Sequence, residues 1–229
     1  MSLFFNKIAL IQEVRAIHAI IESGCDVIFS EKIKSYLEPL HQYFGLDLKT
    51  DICITQSSSP LCVNHVKPSI SIGGVTKSLI FPQQICEHLK CKWKSNRKNN
   101  ISFVGLVTPK RQLVLNNFSN VIVIKSNKGR TFPCKSWDNQ YYEYLLDSDY
   151  TLCLDGDFVW TYRFFEACLC GSIPIIENYC DLYDGFEFLE LRDINNNISW
   201  NKDIANKNYN LALKRITLTC EEQLIIRGL

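Results

Sequence analysis

The feature that most constrains the fold is the regular alternation of short apolar runs and helix-like stretches after residue 100. The apolar runs cover residues 101–104, 121–124, 150–154 and 173–176. Helical spacing follows three of the four, starting near Pro109 and covering about 138–146 and 159–170. Strands that are apolar throughout are typical of parallel sheets covered on both faces. The pattern therefore predicts a Rossmann-like α/β domain.

The first part of the chain contains a weaker version of the same pattern. Apolar residues from Leu10 to Ile21 recur at three-and-four spacing, which predicts a helix over residues 7–22 with Gly24 as its stop. A second helix is expected from Ser30 to about Phe44, and a third from Gln83 to Trp93. Short strands are expected at 25–29, 51–55 and 69–72.

A polar, basic stretch from Lys92 to Asn100 separates these two parts. It lacks apolar periodicity, so we interpret it as a solvated linker. The predicted domains are residues 1–95 and residues 96–229. Because the first is short, we expect a reduced version of the second, also built on a parallel sheet.

Composition excludes some classes of function. Lys and Arg total 25 against 24 for Asp and Glu, so a net charge of +1 provides no broad basic field for nucleic acid. The 11 cysteines are an odd number and several lie in apolar runs, which favours a reduced, cytoplasmic protein. Charged residues interrupt the apolar N-terminus, so no signal peptide or membrane span is expected, and peripheral membrane contact stays open.

The segment from Asp149 to Asn178 carries the most chemical information. It is organised as strand, loop, helix, glycine stop and strand, and its loop, residues 155–160, follows the carboxyl end of a predicted strand. Ligands of parallel α/β sheets bind at such ends. On the helix, Arg163 and Glu166 are three residues apart and share a face, which also fits a surface ion pair without function.

This segment resembles the donor-binding signature of exostosin-type glycosyltransferases. The likeness rests on the strand and loop Leu152–Gly156, the Arg-Phe-x-Glu-Ala helix from Arg163, and the Gly-x-Ile-Pro-Ile strand from Gly171. The stretch Ile101–Gly105 with Arg111 is similar to the start of the donor half. The resemblance covers about residues 100–190 and implies a GT-B architecture of two Rossmann-like domains, with a nucleotide sugar, held mainly by the C-terminal one, as substrate and no cofactor.

The resemblance implies roles for particular residues. It assigns Arg163 to the donor diphosphate and Glu166 to the ribose hydroxyls, which suits a guanidinium and a carboxylate. The other expected donor-binding residues are Gly105, Arg111, Lys125, Asp155 and Gly156. The implied reaction transfers a sugar, expected to be linked to UDP, to a hydroxyl of a glycan or glycolipid. The alternatives are a non-catalytic nucleotide-sugar-binding or assembly protein and a fucosyltransferase-like enzyme using a GDP-sugar.

The sequence also bears on a metal site and on a catalytic base. The Asp155-Gly-Asp157 sequence has the form of a metal-binding pair, but a turn and a helix cap explain it more simply, so no metal is expected. A base would come from the N-terminal part. Its candidates are His65 and Asp51, with His18 more distant because it lies beside the apolar stripe of the first helix.

Overall fold

The computed structural model describes two compact units within the chain. Its described residues are 10–24, 62–64, 68–72, 74–119, 121–125, 139–194 and 198–228. The described residues up to His88, together with 213–228, form the first unit. The described residues of 89–125 and 139–212 form the second. The predicted domain boundary at residues 95–96 stays a prediction.

The elements follow the chain in this order. The helices are α1 Leu10–Glu22, α2 Gln83–Cys91, α3 Pro109–Leu115, α4 Asn139–Leu146, α5 Tyr162–Leu169, α6 Lys202–Ile216 and α7 Cys220–Ile226. The strands are β1 Cys62–Asn64, β2 Ser69–Ile72, β3 Val75–Lys77, β4 Asn99–Gly105, β5 Val121–Lys125, β6 Ser148–Cys153, β7 Ile173–Ile176 and β8 Leu189–Glu190. Short 3-10 turns cover Asp181–Tyr183 and Leu191–Asp193. No helix in the described part of the chain is long and apolar enough to cross a membrane.

In the first unit, β1, β2 and β3 form an antiparallel sheet. Its side chain Ile70 packs with Ala16 and Ala19 of α1, as the apolar stripe of that helix predicted. For these three strands the expected parallel arrangement is wrong. Two residues connect β2 to β3, whereas a parallel neighbour needs a crossover of a dozen or more. The strands predicted at 25–29 and 51–55, and the helix predicted between them, lie outside the described residues.

The second unit confirms the predicted Rossmann-like α/β fold. Its five strands are all parallel, in the order β5-β4-β6-β7-β8, and helices flank the sheet. The centre of the sheet is fully buried: Phe103, Leu152, Leu154 and Ile175 have no exposed surface. Burial on both faces explains why these strands are apolar throughout.

The segment before β4 is not a solvated linker, which corrects the prediction for residues 92–100. The Trp93 indole donates to the Leu169 carbonyl at 2.8 Å. Arg97 donates to three backbone carbonyls, those of Leu145, Ser148 and Cys170. These carbonyls lie where helices end and strands begin, so basic side chains fasten this segment to the amino end of the sheet.

Candidate functional site

Strand order places a topological switch point between β4 and β6, and a crevice is expected beyond the carboxyl ends of these two strands. From β4 the chain moves outward to β5 on one side and then returns to β6 on the other. At such a switch point the loops after the two central strands diverge, and ligands of open α/β sheets bind there. The loops concerned are residues 106–108 after β4 and residues 154–161 after β6.

Arg111 joins these two loops. Thr108 caps α3 by accepting from the Arg111 backbone N–H, and Pro109 occupies the first turn. The Arg111 side chain donates to the Leu106 carbonyl at 3.0 Å and to the Asp155 carbonyl at 2.9 Å. Burial, and secondarily the charge of Arg163, lower the pKa of Arg111 below its ordinary value. Arg111 and Arg163, the two predicted phosphate ligands, are therefore close enough for the charge of one to affect the pKa of the other.

Arg163 reaches the same crevice from the first turn of α5. Thr161 caps this helix, and the Arg163 Nε donates to the Val104 carbonyl at 2.9 Å. The guanidinium carbon lies 4.5 Å from the centre of the Phe103 ring. The residue is only 6% exposed, yet its Nη1 atom has no hydrogen-bond partner. No carboxylate among the described residues forms an ion pair with Arg163.

Two glycines make room for these arginines. A Cβ at Gly105 would lie 2.3 Å from Nη2 of Arg163, and the φ of Gly105, +148°, already disfavours other residues. A Cβ at Gly156 would lie 3.0 Å from Nη2 of Arg111. Both glycines were predicted from sequence, and the structure gives them this steric reason.

Glu166 occupies a different environment from Arg163. It has no exposed surface, and its two carboxyl oxygens accept from the Tyr141 hydroxyl at 2.7 Å and the Tyr142 hydroxyl at 3.1 Å. The alternative of an exposed Arg163–Glu166 ion pair is therefore wrong, because both side chains are buried. The assignment of Glu166 to ribose hydroxyls stays a prediction, and it requires these tyrosines to release an oxygen. No sequence pattern linked Tyr141 and Tyr142 to a helix more than 20 residues away.

Asp155 lies directly in the crevice. Its Oδ2 accepts from the Asn178 side chain at 2.7 Å and lies 3.9 Å from the Lys110 Nζ. Burial raises the pKa of Asp155 above its ordinary value. Asp157 is exposed, and the cap of α5 is Thr161, so the expectation that Asp157 caps this helix is wrong.

Four predicted site residues remain: Lys125 and the three candidates for the base. Lys125 ends β5 opposite Gly105, at the carboxyl edge, while its side chain is outside the described set. His65 and Asp51 lie outside the described residues. His18, the more distant candidate, is buried in the first unit, with its Nε2 3.6 Å from an oxygen of Glu22.

The chemistry available at the crevice is anion binding by two guanidiniums. Two like charges in partly desolvated surroundings repel each other, and an anion with several oxygens relieves that repulsion. Lys110 adds a third cation, shared by Asp155 and Glu177. Among the residues that the structure describes, no group of three or more His, Cys, Asp or Glu side chains is placed to hold a metal ion.

Comparison with known proteins gives one family. Residues 84–185 match the family model described as the RXYLT1 C-terminal domain, a stretch just under half the chain that includes Arg111, Asp155, Arg163 and Glu166. A comparison with curated proteins finds no significant match. Over residues 84–185 the chain is thus similar to a xylosyltransferase-like, exostosin-related glycosyltransferase family, and this similarity suggests a glycosyltransferase-family member.

Proposed function

We propose that the chain is a glycosyltransferase whose second unit binds a nucleotide diphosphate-sugar at the crevice between β4 and β6. The observation that carries the proposal is the placement of Arg111 and Arg163. Arg111 donates to the carbonyls of Leu106 and Asp155, Arg163 donates to that of Val104, and Nη1 of Arg163 has no hydrogen-bond partner among the described residues. A buried donor without a partner costs about 1–3 kcal/mol, and more when charged. A diphosphate oxygen would recover that loss.

The same groups would assist the departure of the nucleotide. When the bond to the sugar breaks, negative charge develops on the leaving diphosphate. Arg111, Arg163 and the positive end of the α5 dipole already face the crevice, so they would stabilise that charge without reorganising. This arrangement supports our proposal of a metal-independent reaction.

The remaining parts of the donor would lie along the carboxyl edge. Lys125, at the end of β5 beside Gly105, is a candidate contact for the base or ribose. We propose a uridine donor on the strength of the exostosin-like segment. The proposed acceptor is a hydroxyl of a glycan or glycolipid, with His65 or Asp51 as the base that removes its proton. The proposed location is the cytoplasm.

Calorimetric titration with UDP, GDP and ADP tests the donor site. We expect UDP to bind most tightly, and to bind equally well in the presence of a chelator of divalent ions. Equal affinities for all three nucleotides would reduce the site to generic phosphate binding. Tighter GDP binding would favour the fucosyltransferase-like alternative. Binding that disappears in chelator and returns with manganese would overturn the metal-free proposal.

A second candidate function is a non-catalytic protein that binds a nucleotide sugar. The groups described at the crevice, Arg111 and Arg163, would bind a diphosphate whether or not the sugar is then transferred. Slow hydrolysis of the bound donor separates the two functions, because a transferase commonly passes sugar to water whereas a binding protein leaves it intact. Loss of UDP-sugar over hours, abolished in Arg163→Ala, would support the enzyme.

A further inference from the structure

Asp155 has one polar atom whose purpose the fold does not explain. Its backbone N–H donates to Glu177 at 3.1 Å, its carbonyl accepts from Arg111, and its Oδ2 accepts from Asn178. Its Oδ1 is buried and has no hydrogen-bond partner among the residues that the structure describes. The residue as a whole is only 6% exposed. A carboxylate oxygen buried without a donor is expensive, so a group that supplies one would be bound favourably.

This unused acceptor and the unused donor of Arg163 belong to the same crevice. Arg111 connects the two sides, because it bonds the carbonyl of Leu106 after β4 and the carbonyl of Asp155 after β6. Arg163 lies against β4 at Val104. A ligand that satisfies both atoms must present an anionic oxygen to Arg163 and a hydrogen-bond donor to Asp155.

The charges around Asp155 limit what that donor can be. Lys110 and Arg111 offset the negative charges of Asp155 and Glu177, so this group of side chains has no net negative charge to attract a further cation. A neutral hydroxyl needs no such attraction, and carboxylates bind sugar hydroxyls well. In a nucleotide sugar, hydroxyls of the sugar adjoin the diphosphate through one bridging oxygen.

We propose that Asp155 accepts a hydrogen bond from a hydroxyl of the transferred sugar and so selects among donor sugars. The inference rests on the proposed function, since it assumes that the diphosphate lies on Arg163 and Arg111. It assigns Asp155 a role in sugar specificity and none in nucleotide affinity. Asn178, which holds the other carboxylate oxygen, acts as its positioning residue.

The test compares the affinities of UDP and UDP-sugars in wild type and Asp155→Asn. The probes are UDP, UDP-glucose, UDP-galactose, UDP-N-acetylglucosamine and UDP-xylose, titrated by calorimetry. For the sugar that binds wild type most tightly, we expect Asp155→Asn to weaken binding at least tenfold while the Kd of UDP changes less than threefold. Asp157→Asn, an exposed change in the same loop, is the matched control and should leave all five affinities unchanged.

The outcomes separate the inference from the function on which it rests. An unchanged preference for sugar over UDP in Asp155→Asn overturns the inference but leaves the donor site standing, as does equal weakening of UDP and UDP-sugar. Absence of binding by every nucleotide in wild type overturns both. If Asp155→Asn does not fold, monodeoxy analogues of the preferred donor replace it. One analogue should then bind wild type at least tenfold more weakly, and equal binding of all analogues contradicts the inference.

Discussion

The polar side chains at the two ends of the sheet in the second unit differ in how many hydrogen bonds they make to protein atoms. At the amino end, both terminal nitrogens of Arg97 donate, to three carbonyls in all, and only its Nε lacks a partner among the described residues. Trp93 donates to a fourth carbonyl, and Lys94 pairs with Asp147 at 2.8 Å. At the carboxyl end, burial and the charge of Arg163 lower the pKa of Arg111, and among the described residues one atom each of Arg163 and Asp155 has no hydrogen-bond partner.

The difference teaches how structural and ligand-binding charges can be distinguished in one domain. A charge that stabilises a fold is matched by protein atoms, because an unmatched buried charge is destabilising. A charged group that binds a ligand can lack a protein partner until the ligand is bound, and for this reason unpaired buried charges concentrate at functional sites. Variants at the two ends should therefore affect different properties.

The largest effect is expected at the amino end, from Gly171→Ala. The φ of Gly171 is +70°, and an added Cβ would lie 2.6 Å from the Trp93 ring, which is held in place by its hydrogen bond. We expect a loss of about 3–5 kcal/mol in the free energy of unfolding, measured in urea. Gly228→Ala is the control, since Gly228 has a similar φ of +77° with no atom near its Cβ position, and should lose about 1 kcal/mol or less. Equal losses would mean that packing at Trp93 contributes nothing.

The same glycine substitution at the carboxyl end should act through Arg163. In Gly105→Ala the clashing atom is the tip of a flexible side chain, so the guanidinium can move aside. We expect backbone strain of about 1–3 kcal/mol in stability together with weakened UDP binding. A variant that binds UDP normally would show that the position of Arg163 is unimportant for the donor.

The next effect is a reciprocal pair, Arg163→Ala and Arg97→Ala. Arg163→Ala should weaken UDP binding by about 2–4 kcal/mol while the protein stays folded, because it removes a charge-assisted contact. Arg97→Ala should leave UDP affinity unchanged and lower stability by about 1–3 kcal/mol, because three carbonyls lose a donor. Calorimetry and urea unfolding measure both. Unchanged affinity in folded Arg163→Ala would remove the basis of the donor-site proposal.

Substitution of Glu166 tests whether this side chain stabilises the fold or binds the ligand. Glu166→Ala removes the acceptor of two buried tyrosine hydroxyls, so we expect about 2–3 kcal/mol less stability. Glu143→Ala, at a partly exposed position on α4 where the carboxylate pairs with Lys92 and Lys94, should change stability by less than about 1 kcal/mol. A fully stable Glu166→Ala that discriminates less between UDP and its 2′,3′-dideoxy analogue would instead place Glu166 in the ribose site.

The smallest effect is a pH dependence that has the same sign at the two ends but falls in different pH ranges. Burial raises the pKa of Asp155, so its folded form holds a proton more tightly than the unfolded chain, and its ionisation lowers stability as pH rises above about 3.8. The hydrogen bond to Asp147 raises the pKa of Lys94, so the stability from that pair is complete below about 10.5 and is lost as pH rises further. Asp155→Asn should remove the acid-side slope, and Lys94→Met the alkaline one, in unfolding curves recorded across pH.

The sequence by itself determined the parallel α/β unit and the residue types at its carboxyl edge. Buried strands must be apolar and helices must show their period, so β4, β5, β6 and β7 and the three helices between them could be located from composition and spacing. The exostosin-like residues then placed Arg163 and Gly105 at the correct edge. These properties depend on neighbours within one element or on a rule of parallel sheets.

Only the tertiary structure decided which polar groups have partners. Arg97 looked like part of a solvated linker, yet it binds three carbonyls that come from α4, β6 and the end of α5. Glu166 looked like a surface partner of Arg163, yet it is buried against tyrosines of α4. Asp155 looked like a turn residue and keeps an unused oxygen. Hydrogen bonding depends on atoms far apart along the chain, which spacing does not encode.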